Sequence, residues 1–421
     1  MHHELQLRII DELREGLARR ANHDAGGQMR VPTASYIDRD LAAREWDAFF
    51  GDHPQLVGLS GDLPAAGSFF TCADFGVPVL ATRDASGNFR AFVNACRHRG
   101  ARLVEQTRGT GARFTCPFHG WTYAADGALV AVTEAEQFGP LDKSCHGLIE
   151  LPATEHLGLL WVHPRSGATI EPASLLLGLD AELASWDLAR LQHTAGRTLE
   201  LRMNWKLAND TFGETYHFSR LHRDTLGQLF HGDVLAYEAF GRNHRAVFPS
   251  RTISKLDQRA REEWRLDSVA TVLYYLFPNV QMTVSRHLVT VFRIYPEAGD
   301  PRRSRLRVDH YYSPEALARL DDSGRTLIDE HTVYALEARN GQATISPAAQ
   351  LEIVESTLEH EDLRMAEAAQ RTAESGCVTH FVFGRNEAPL QHFHTSFRSA
   401  LGLAPLTSAA TDVPGSARPA R

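Results

Sequence analysis

Four residues fall into two short loops whose spacing suits a metal. Cys96-Arg-His98 reads C-x-H and Cys116-Pro-Phe-His119 reads C-x-x-H, with seventeen residues between the pairs. Each pair sets a soft sulfur beside a borderline nitrogen at the tip of one tight loop. Two such loops facing one another can clamp a single small cluster. Zinc also takes Cys2His2 sites, but zinc-finger spacing groups Cys with Cys and His with His, whereas each half here carries one of each. In a mixed [2Fe–2S] cluster two thiolates hold one iron and two imidazoles the other. The neutral imidazoles make that cluster less negative and raise its potential.

A second constellation lies in Asn204–His222, with the core Glu214-x-x-His217-x-x-x-x-His222. Two imidazoles and one carboxylate on one face of Fe(II) form the facial triad of non-haem oxygenases, and the other face stays open for O2 and substrate. His217 and His222 are five apart, which in a regular helix separates them by about 140°. Both reach one metal only if the helix ends or bulges between them. The competing reading is a helix with two histidines in surface or core roles. Glu214, three residues before His217, shares its helical face; a helix N-terminus also favours an acid there. The third ligand has to be a carboxylate from elsewhere in the chain.

The segment Cys96-Arg-His98-Arg-Gly100 through Cys116-Pro-Phe-His119-Gly-Trp121-Thr-Tyr123, taken with Glu214–His222, resembles the large (alpha) subunit of the Rieske non-haem iron aromatic ring-hydroxylating oxygenases. The likeness runs over residues 45–403. It implies a [2Fe–2S] Rieske cluster on Cys96, His98, Cys116 and His119, and a mononuclear Fe(II) on His217, His222 and an acid. His360-Glu-Asp362 through Gln370 resembles the family's late helix, where the Asp of an acid–Asp pair binds iron. That points to Asp362. Glu361 is the alternative, since only one of two adjacent residues faces inward on a helix, and His360 is a decoy. At Glu214 the family has an acid that bridges the Rieske histidine of one subunit to the iron histidine of its neighbour. Such an acid gives the electron a short hydrogen-bonded route and fixes the imidazole. Many dioxygenases carry Asp where Glu214 stands, and some carry Asn in place of Asp210, so the subclass stays open. Gly384–His394 looks like the family's C-terminal end, with His392 and His394 structural.

By the same resemblance the chain is a terminal oxygenase component. A ferredoxin and/or flavin reductase supplies electrons, which pass through the cluster to the mononuclear iron, and oxygen from O2 enters a small organic substrate. Aromatic ring hydroxylation or dihydroxylation is the first expectation. The second is hydroxylation or N- or O-demethylation of a small non-aromatic or quaternary ammonium compound, for which Glu214 is a hint and an aromatic cage would be the support. Tyr274, Tyr275, Phe277, Met282 and Phe292 are candidates for the pocket wall or for core. A Rieske electron carrier without a second iron is the reading from another class; the two histidines and the long second domain stand against it. A zinc structural protein is a more distant one. The family also implies a head-to-tail homotrimer, whose heterologous interface closes by rotation, with or without a small beta subunit.

The elements that must position these residues follow from pattern. A chain of 421 residues suggests two domains. With a net charge of −8 there is no electrostatic case for nucleic acid or an anionic membrane. Arg302, Arg303, Arg305 and Arg307 are interleaved with apolar residues and read as the solvated face of a strand. Five cysteines do not suggest a disulfide framework. With Cys96 and Cys116 assigned to the cluster, Cys72, Cys145 and Cys377 read as ordinary buried or half-buried thiols. The start has acids where a signal peptide has an apolar run, and no eighteen-residue apolar stretch exists, so a cytoplasmic protein is expected.

The fold class expected is α+β: an all-β Rieske domain and a helix-grip (START/Bet v1-like) catalytic domain on an antiparallel sheet. Residues 1–45 read as a helix and linker, with Leu5, Ile9, Ile10, Leu13 and Leu17 on one face and an extended segment at Pro32–Tyr36. Residues 46–165 read as short strands. They include hairpins at Pro78–Asn94 and at Tyr123–Val130, where Asp126-Gly127 is the turn, and a strand at Gly158–Val162. Residues 166–403 form the catalytic domain. It opens on a connection with helical character and an alternating stretch at Arg197–Met203. Strands follow at Thr271–Phe277, Asn279–Ser285, Leu288–Tyr295 and Ser304–Tyr312. Helical patterns cover 314–340, 346–374 and Pro389–Leu403. The tail, 404–421, is expected to be disordered by composition.

Overall fold

The structure, a computed structural model, describes residues 1–285, 287–320, 324, 326–327 and 344–409. The chain divides into two compact units. One comprises Glu45–Thr194 with Tyr311–Ala318; the other comprises Met1–Arg44, Ala195–His310 and the described residues from Arg319 on.

Short strands build the first unit because turn residues interrupt its apolar runs every few positions. Val79–Arg83 and Phe89–Val93 pair antiparallel around Asp84-Ala-Ser-Gly-Asn88. They sit inside a five-stranded sheet ordered Glu150–Leu151, Phe89–Val93, Val79–Arg83, Ser68–Cys72, Arg108–Thr110. Thr122–Ala124 pairs with Leu129–Ala131 around Asp126-Gly127, and Leu159–Val162 is fully buried between Ala153–His156 and Gln55–Leu59. The core gathers Phe69, Leu80, Phe92, Phe114, Trp121 and Tyr123, and Cys96 and Cys116 belong to it. Alternate side chains of a strand face opposite sides, so Ser68–Cys72, Val79–Arg83 and Phe89–Val93 lend this core one face each, through Phe69, Leu80 and Phe92.

The second unit is organised by a seven-stranded sheet. Its order is Gln192–Leu201, Asp300–Tyr312, Leu288–Glu297, Val280–Val284, Ala270–Leu276, Asn243–Pro249, Ala236–Phe240. Pairing from Ala236 to Arg293 is antiparallel throughout. The helix Trp205–Asp210 packs on Leu288–Glu297 and on the helix Leu363–Ser375. This is the α+β arrangement expected, and the four strands read between 271 and 312 are present. In Asp300–Tyr312, Ser304, Leu306 and Val308 are buried, while Arg302 and Arg303 are exposed. The N-terminal helix His3–Arg19 buries Ile9, Ile10 and Leu13. Met29–Pro32 then pairs with His380–Phe383, and Thr33–Tyr36 is a single 3-10 turn rather than an extended segment.

Three expectations are corrected. The helical reading of 314–340 fails: only Pro314–Leu317 is helical among its described residues, and Thr326–Leu327 is a short strand paired with Thr344–Ile345. Gly324 between them has φ of 73°, a backbone that ends a helix. The remainder of that reading, 321–323, 325 and 328–340, lies outside the described residues. The expectation of a disordered tail fails over 404–409, where Thr407–Ser408 is a strand paired with Met29–Arg30, and 410–421 lies outside the described residues. Cys145 and Cys377 are exposed, not buried; only Cys72 of the three spare thiols is buried. Two strands went unread, Ala236–Phe240 and Asn243–Pro249. The latter is buried on both faces, so it shows no alternation.

Candidate metal centres and the cavity beside them

The two cysteine–histidine loops share one backbone design. In the first, Gly100 N–H donates to Cys96 O at 2.9 Å and Cys96 N–H to Ala101 O at 2.8 Å. In the second, Gly120 N–H donates to Cys116 O at 3.0 Å and Cys116 N–H to Trp121 O at 2.8 Å. Gly100 and Gly120 both close their loops at φ of 73°, a conformation that favours glycine. At Gly120 a Cβ would also come within 2.3 Å of Thr133 Oγ1. The loops bring the His98 and His119 rings to 4.6 Å, and His98 stacks on Trp121 at 5.1 Å.

Cys96 and Cys116 are buried free thiols. Burial pushes the Cys96 thiol up, and the neighbouring Cys116 adds to it. The Tyr123 hydroxyl accepts from Arg97 N–H at 2.9 Å and lies 3.4 Å from Cys96 Sγ. His98 Nδ1 is buried with no hydrogen-bond partner among the described residues. Two buried thiols beside an imidazole nitrogen left unmatched are a donor set that fits a [2Fe–2S] cluster with mixed ligands.

The second site is built where a helix ends, not on a continuous helix. Asn204 caps the helix Trp205–Asp210 by accepting from Lys206 N–H at 3.0 Å. That helix stops at Asp210, and Tyr216–Ser219 is a 3-10 turn. His217 and His222 therefore escape the 140° divergence, and their rings lie 4.8 Å apart. Glu214 accepts twice from His217, from its backbone N–H at 3.1 Å and from Nδ1. From the other side comes a long helix read as one piece over 346–374. It is Pro347–Thr357, one π turn at Leu358–Asp362, then Leu363–Ser375.

That π turn corrects the expectation that only one of two adjacent acids faces inward. Glu361 Oε2 takes the Nδ1 edge of His222 and also accepts from the Thr225 hydroxyl at 2.8 Å. Asp362 Oδ1 lies 3.1 Å from His222 Nε2 and 3.2 Å from His217 Nε2. His217, His222 and Asp362 thus offer three ligand atoms within 4.8 Å of one another, with His222 and Asp362 buried. His360 is exposed, and its Nδ1 bonds Ser356 O at 2.9 Å. His394 and His392 are engaged elsewhere. His394 Nε2 lies 2.9 Å from Asp210 Oδ1, and His392 Nδ1 lies 3.0 Å from His244 Nδ1.

The electrostatics ask for a cation. Burial disfavours the charged His217 imidazole, but the Asp362 and Glu214 carboxylates outweigh burial and lift it to about 9. Asp362 is opposed by burial yet held below the usual carboxylate range by the two histidines. His217 Nε2 is buried without hydrogen-bond geometry to any described residue. Two Nε2 atoms and one carboxylate oxygen, with both Nδ1 edges held by acids, fit a divalent metal of the two-histidine, one-carboxylate kind.

A cavity of about 90 Å³ opens on this trio. Ala246, Leu273 and Thr283 stand opposite one another across three strands and form one row of its wall; Phe292 extends it on the next strand. Phe212, Phe218, Phe248, Val354 and Leu358 add to the apolar lining, with Leu226, Leu235 and Pro389. Of the wall candidates read from sequence only Phe292 lines it. Tyr274 and Met282 alternate with Leu273 and Thr283, so they point to the other face of the sheet. Tyr275 packs instead against His244 at 5.0 Å, and Phe277 lies at the strand's far end; all four are core.

Comparison with known proteins agrees with this geometry. The family model for the catalytic domain of the ring-hydroxylating alpha subunit matches residues 188–402, and the model for the Rieske [2Fe-2S] domain matches 53–148. The chain belongs to the ring-hydroxylating alpha subunit family. As a member it carries a Rieske [2Fe-2S] domain and a catalytic domain of the kind that binds mononuclear iron. The oxygenase subunit of glycine betaine monooxygenase from Chromohalobacter salexigens is 33% identical over 211 residues, 49% of this chain and 46% of the relative. The large subunit of anthranilate 1,2-dioxygenase from Acinetobacter baylyi is 33% identical over 213 residues, 49% and 45% of the two chains. The chain spans about half the length of these curated relatives, 46% and 45%. Among solved structures, a quaternary ammonium Rieske monooxygenase bound to L-carnitine superposes with a TM-score of 0.67 at 18% identity, covering 88% of this chain and 95% of the other. Naphthalene 1,2-dioxygenase from Rhodococcus sp. gives 0.66 at 19% identity, covering 94% and 98%. These two share their fold with this chain. Among the described residues, no helix is long and apolar enough to cross a membrane.

Proposed function

We propose that this chain is the terminal oxygenase component of a Rieske system and that it hydroxylates a small, uncharged aromatic substrate. The observation that carries the reading is the opening of the His217–His222–Asp362 trio into an apolar cavity. An electron carrier needs no such trio and no such chamber. Cys96, His98, Cys116 and His119 would hold the cluster; His217, His222 and Asp362 would hold the iron. When bound, the cluster supplies single electrons and the iron activates O2.

The chain's own residues do the rest. Glu214 and Glu361 hold the Nδ1 edges, so both Nε2 atoms stay aimed at one point. Phe212, Phe218, Phe248 and Phe292 exclude water and orient an apolar ring beside the trio. At about 90 Å³ the chamber is smaller than the ~150 Å³ apolar cavity known to take up benzene, which disfavours a fused polycycle. Each Glu214 carboxylate oxygen has a second lone pair, and in a head-to-tail homotrimer it would bridge to a cluster histidine of the next subunit. A ferredoxin or flavin reductase as donor, a cytoplasmic setting and the division into 46–165 for the cluster and 166–403 for catalysis belong to the same proposal.

A second reading has its own support. The relatives include a glycine betaine monooxygenase, and four phenylalanines could face a quaternary ammonium. Against it, no Arg, Lys, Asn or Gln among the described residues lines the cavity to receive the carboxylate of a betaine. The experiment is substrate-dependent O2 uptake by the iron-loaded protein with a reductase, comparing one-ring aromatics with glycine betaine and carnitine. Uptake coupled to an oxygenated aromatic product supports the first reading. Uptake with the ammonium compounds alone replaces it with the second.

A further inference from the structure

The cavity wall is not uniformly apolar. Four threonines line it: Thr211, Thr215, Thr283 and Thr357. Two are committed to their own backbone, Thr211 Oγ1 donating to Ala208 O at 2.8 Å and Thr215 Oγ1 to Gly232 O at 3.0 Å. The hydroxyls of Thr283, on the strand Val280–Val284, and Thr357, at the end of the helix Pro347–Thr357, make no hydrogen bond to any described residue. Apart from the metal trio and Glu214, they are the only free polar side chains on the wall among the described residues.

We infer that Thr283 and Thr357 are specificity-determining residues, and that the substrate is a single ring bearing one neutral hydrogen-bonding substituent, such as a hydroxyl, amino or carboxamide group. This rests on the aromatic reading proposed above. A hydroxyl in an apolar chamber is satisfied by water until a ligand displaces it. A ring with no polar group then leaves it unpaired, whereas a ring with one restores the bond, and sites built this way reject the analogue that lacks the group. Negative charge is disfavoured twice over. No cation among the described residues lines the wall to receive a carboxylate, and Glu214 and Asp362 repel one. A threonine hydroxyl both donates and accepts, which suits a neutral substituent of either kind.

The test is equilibrium binding to the iron-loaded protein under argon, by calorimetry, with toluene, m-cresol and m-toluate as probes. The wild type is expected to bind m-cresol at least about tenfold more tightly than toluene, and to bind m-toluate more weakly than m-cresol. Thr283→Val or Thr357→Val should collapse the cresol-to-toluene ratio, and Thr283→Ser should keep it. Since Thr283→Val and Thr357→Val alter different elements, a variant that does not fold leaves the other to decide. A wild-type ratio near one, or a ratio that survives both valine variants, overturns the inference and leaves the aromatic reading standing. Binding of glycine betaine with none of the three aromatics overturns both.

Discussion

Glu361 and Asp362 are neighbours in the chain and address opposite edges of one imidazole. Glu361 holds the Nδ1 of His222 while Asp362 Oδ1 lies 3.1 Å from its Nε2. The division is made by the π turn at Leu358–Asp362, which widens the spiral where the two acids stand. Their substitutions should therefore separate. Asp362→Ala is expected to lose the mononuclear iron and all turnover with the cluster spectrum intact. Glu361→Gln is expected to keep the iron with affinity about 10–100-fold weaker. Iron per chain and competition with a chelator measure both. Equal iron loss in the two variants would refute the assignment of separate roles.

Tyr123 makes the corresponding prediction for the cluster loops. Its hydroxyl oxygen is occupied by Arg97 N–H, so its proton is free to face Cys96 Sγ at 3.4 Å. A donor to a ligating sulfur favours the more negative, reduced cluster and raises its potential. Removing it with Tyr123→Phe should lower the potential by about 1 kcal/mol, or roughly 40 mV for one electron. A redox titration followed by EPR reads this directly. An unshifted potential would mean the hydroxyl proton points elsewhere.

The two candidate ligand sets were legible because each is local. C-x-H, C-x-x-H and Glu214-x-x-His217-x-x-x-x-His222 each span one loop, and alternation over 271–312 exposes four strands. What escaped depends on partners far along the chain. Asn243–Pro249 is buried on both faces and carries Asn243, His244 and Arg245 inward, so it reads as polar loop; Asn243 Oδ1 accepts from Phe277 N–H, 34 residues on. The wall of the cavity follows sheet register. Leu273 and Thr283 are on it and Tyr274 and Met282 are not, a one-residue difference that no composition reveals. Glu361 looked like a rival ligand because a regular helix was assumed where a π turn stands.

Glu155 gives a pH-dependent prediction in the first unit. Burial pushes its carboxyl up, but Arg83 and the Ser60 hydroxyl outweigh burial and hold it below the ordinary glutamate range. A depressed folded value means the ionised form favours the fold. That stabilisation is complete above the unfolded-chain value, about 4.3, and is lost as pH falls through the folded value. Glu155→Gln should cost about 2 kcal/mol at pH 7, and the gap from wild type should close in acid. Denaturant midpoints at neutral and acid pH check it. A gap of equal size at both would place the effect in packing, not in the ion pair.

Asp210 ties three distant segments together just before the iron-site loop. It accepts from the Tyr36 hydroxyl at 2.9 Å and lies 2.9 Å from His394 Nε2, partners 174 and 184 residues away. Tyr36 and His394 are fully buried, and burial together with the Asp210 carboxylate pushes the Tyr36 phenol well above its usual range. Asp210→Ala removes the acceptor that Tyr36 and His394 share and leaves them only each other at 3.4 Å, which should cost about 2 kcal/mol. Asp210→Asn accepts one donor and turns its amide on the other, so its stability should fall between wild type and Asp210→Ala. The helix Trp205–Asp210 leads into Gly213 and Glu214, so the loosened end should also release iron to a chelator faster, in the same order. Thermal midpoints and iron-release rates test both halves. If Asp210→Ala melts with the wild type and holds its iron as long, the Tyr36–Asp210–His394 network positions nothing, and the orientation of His217 rests on Glu214 alone.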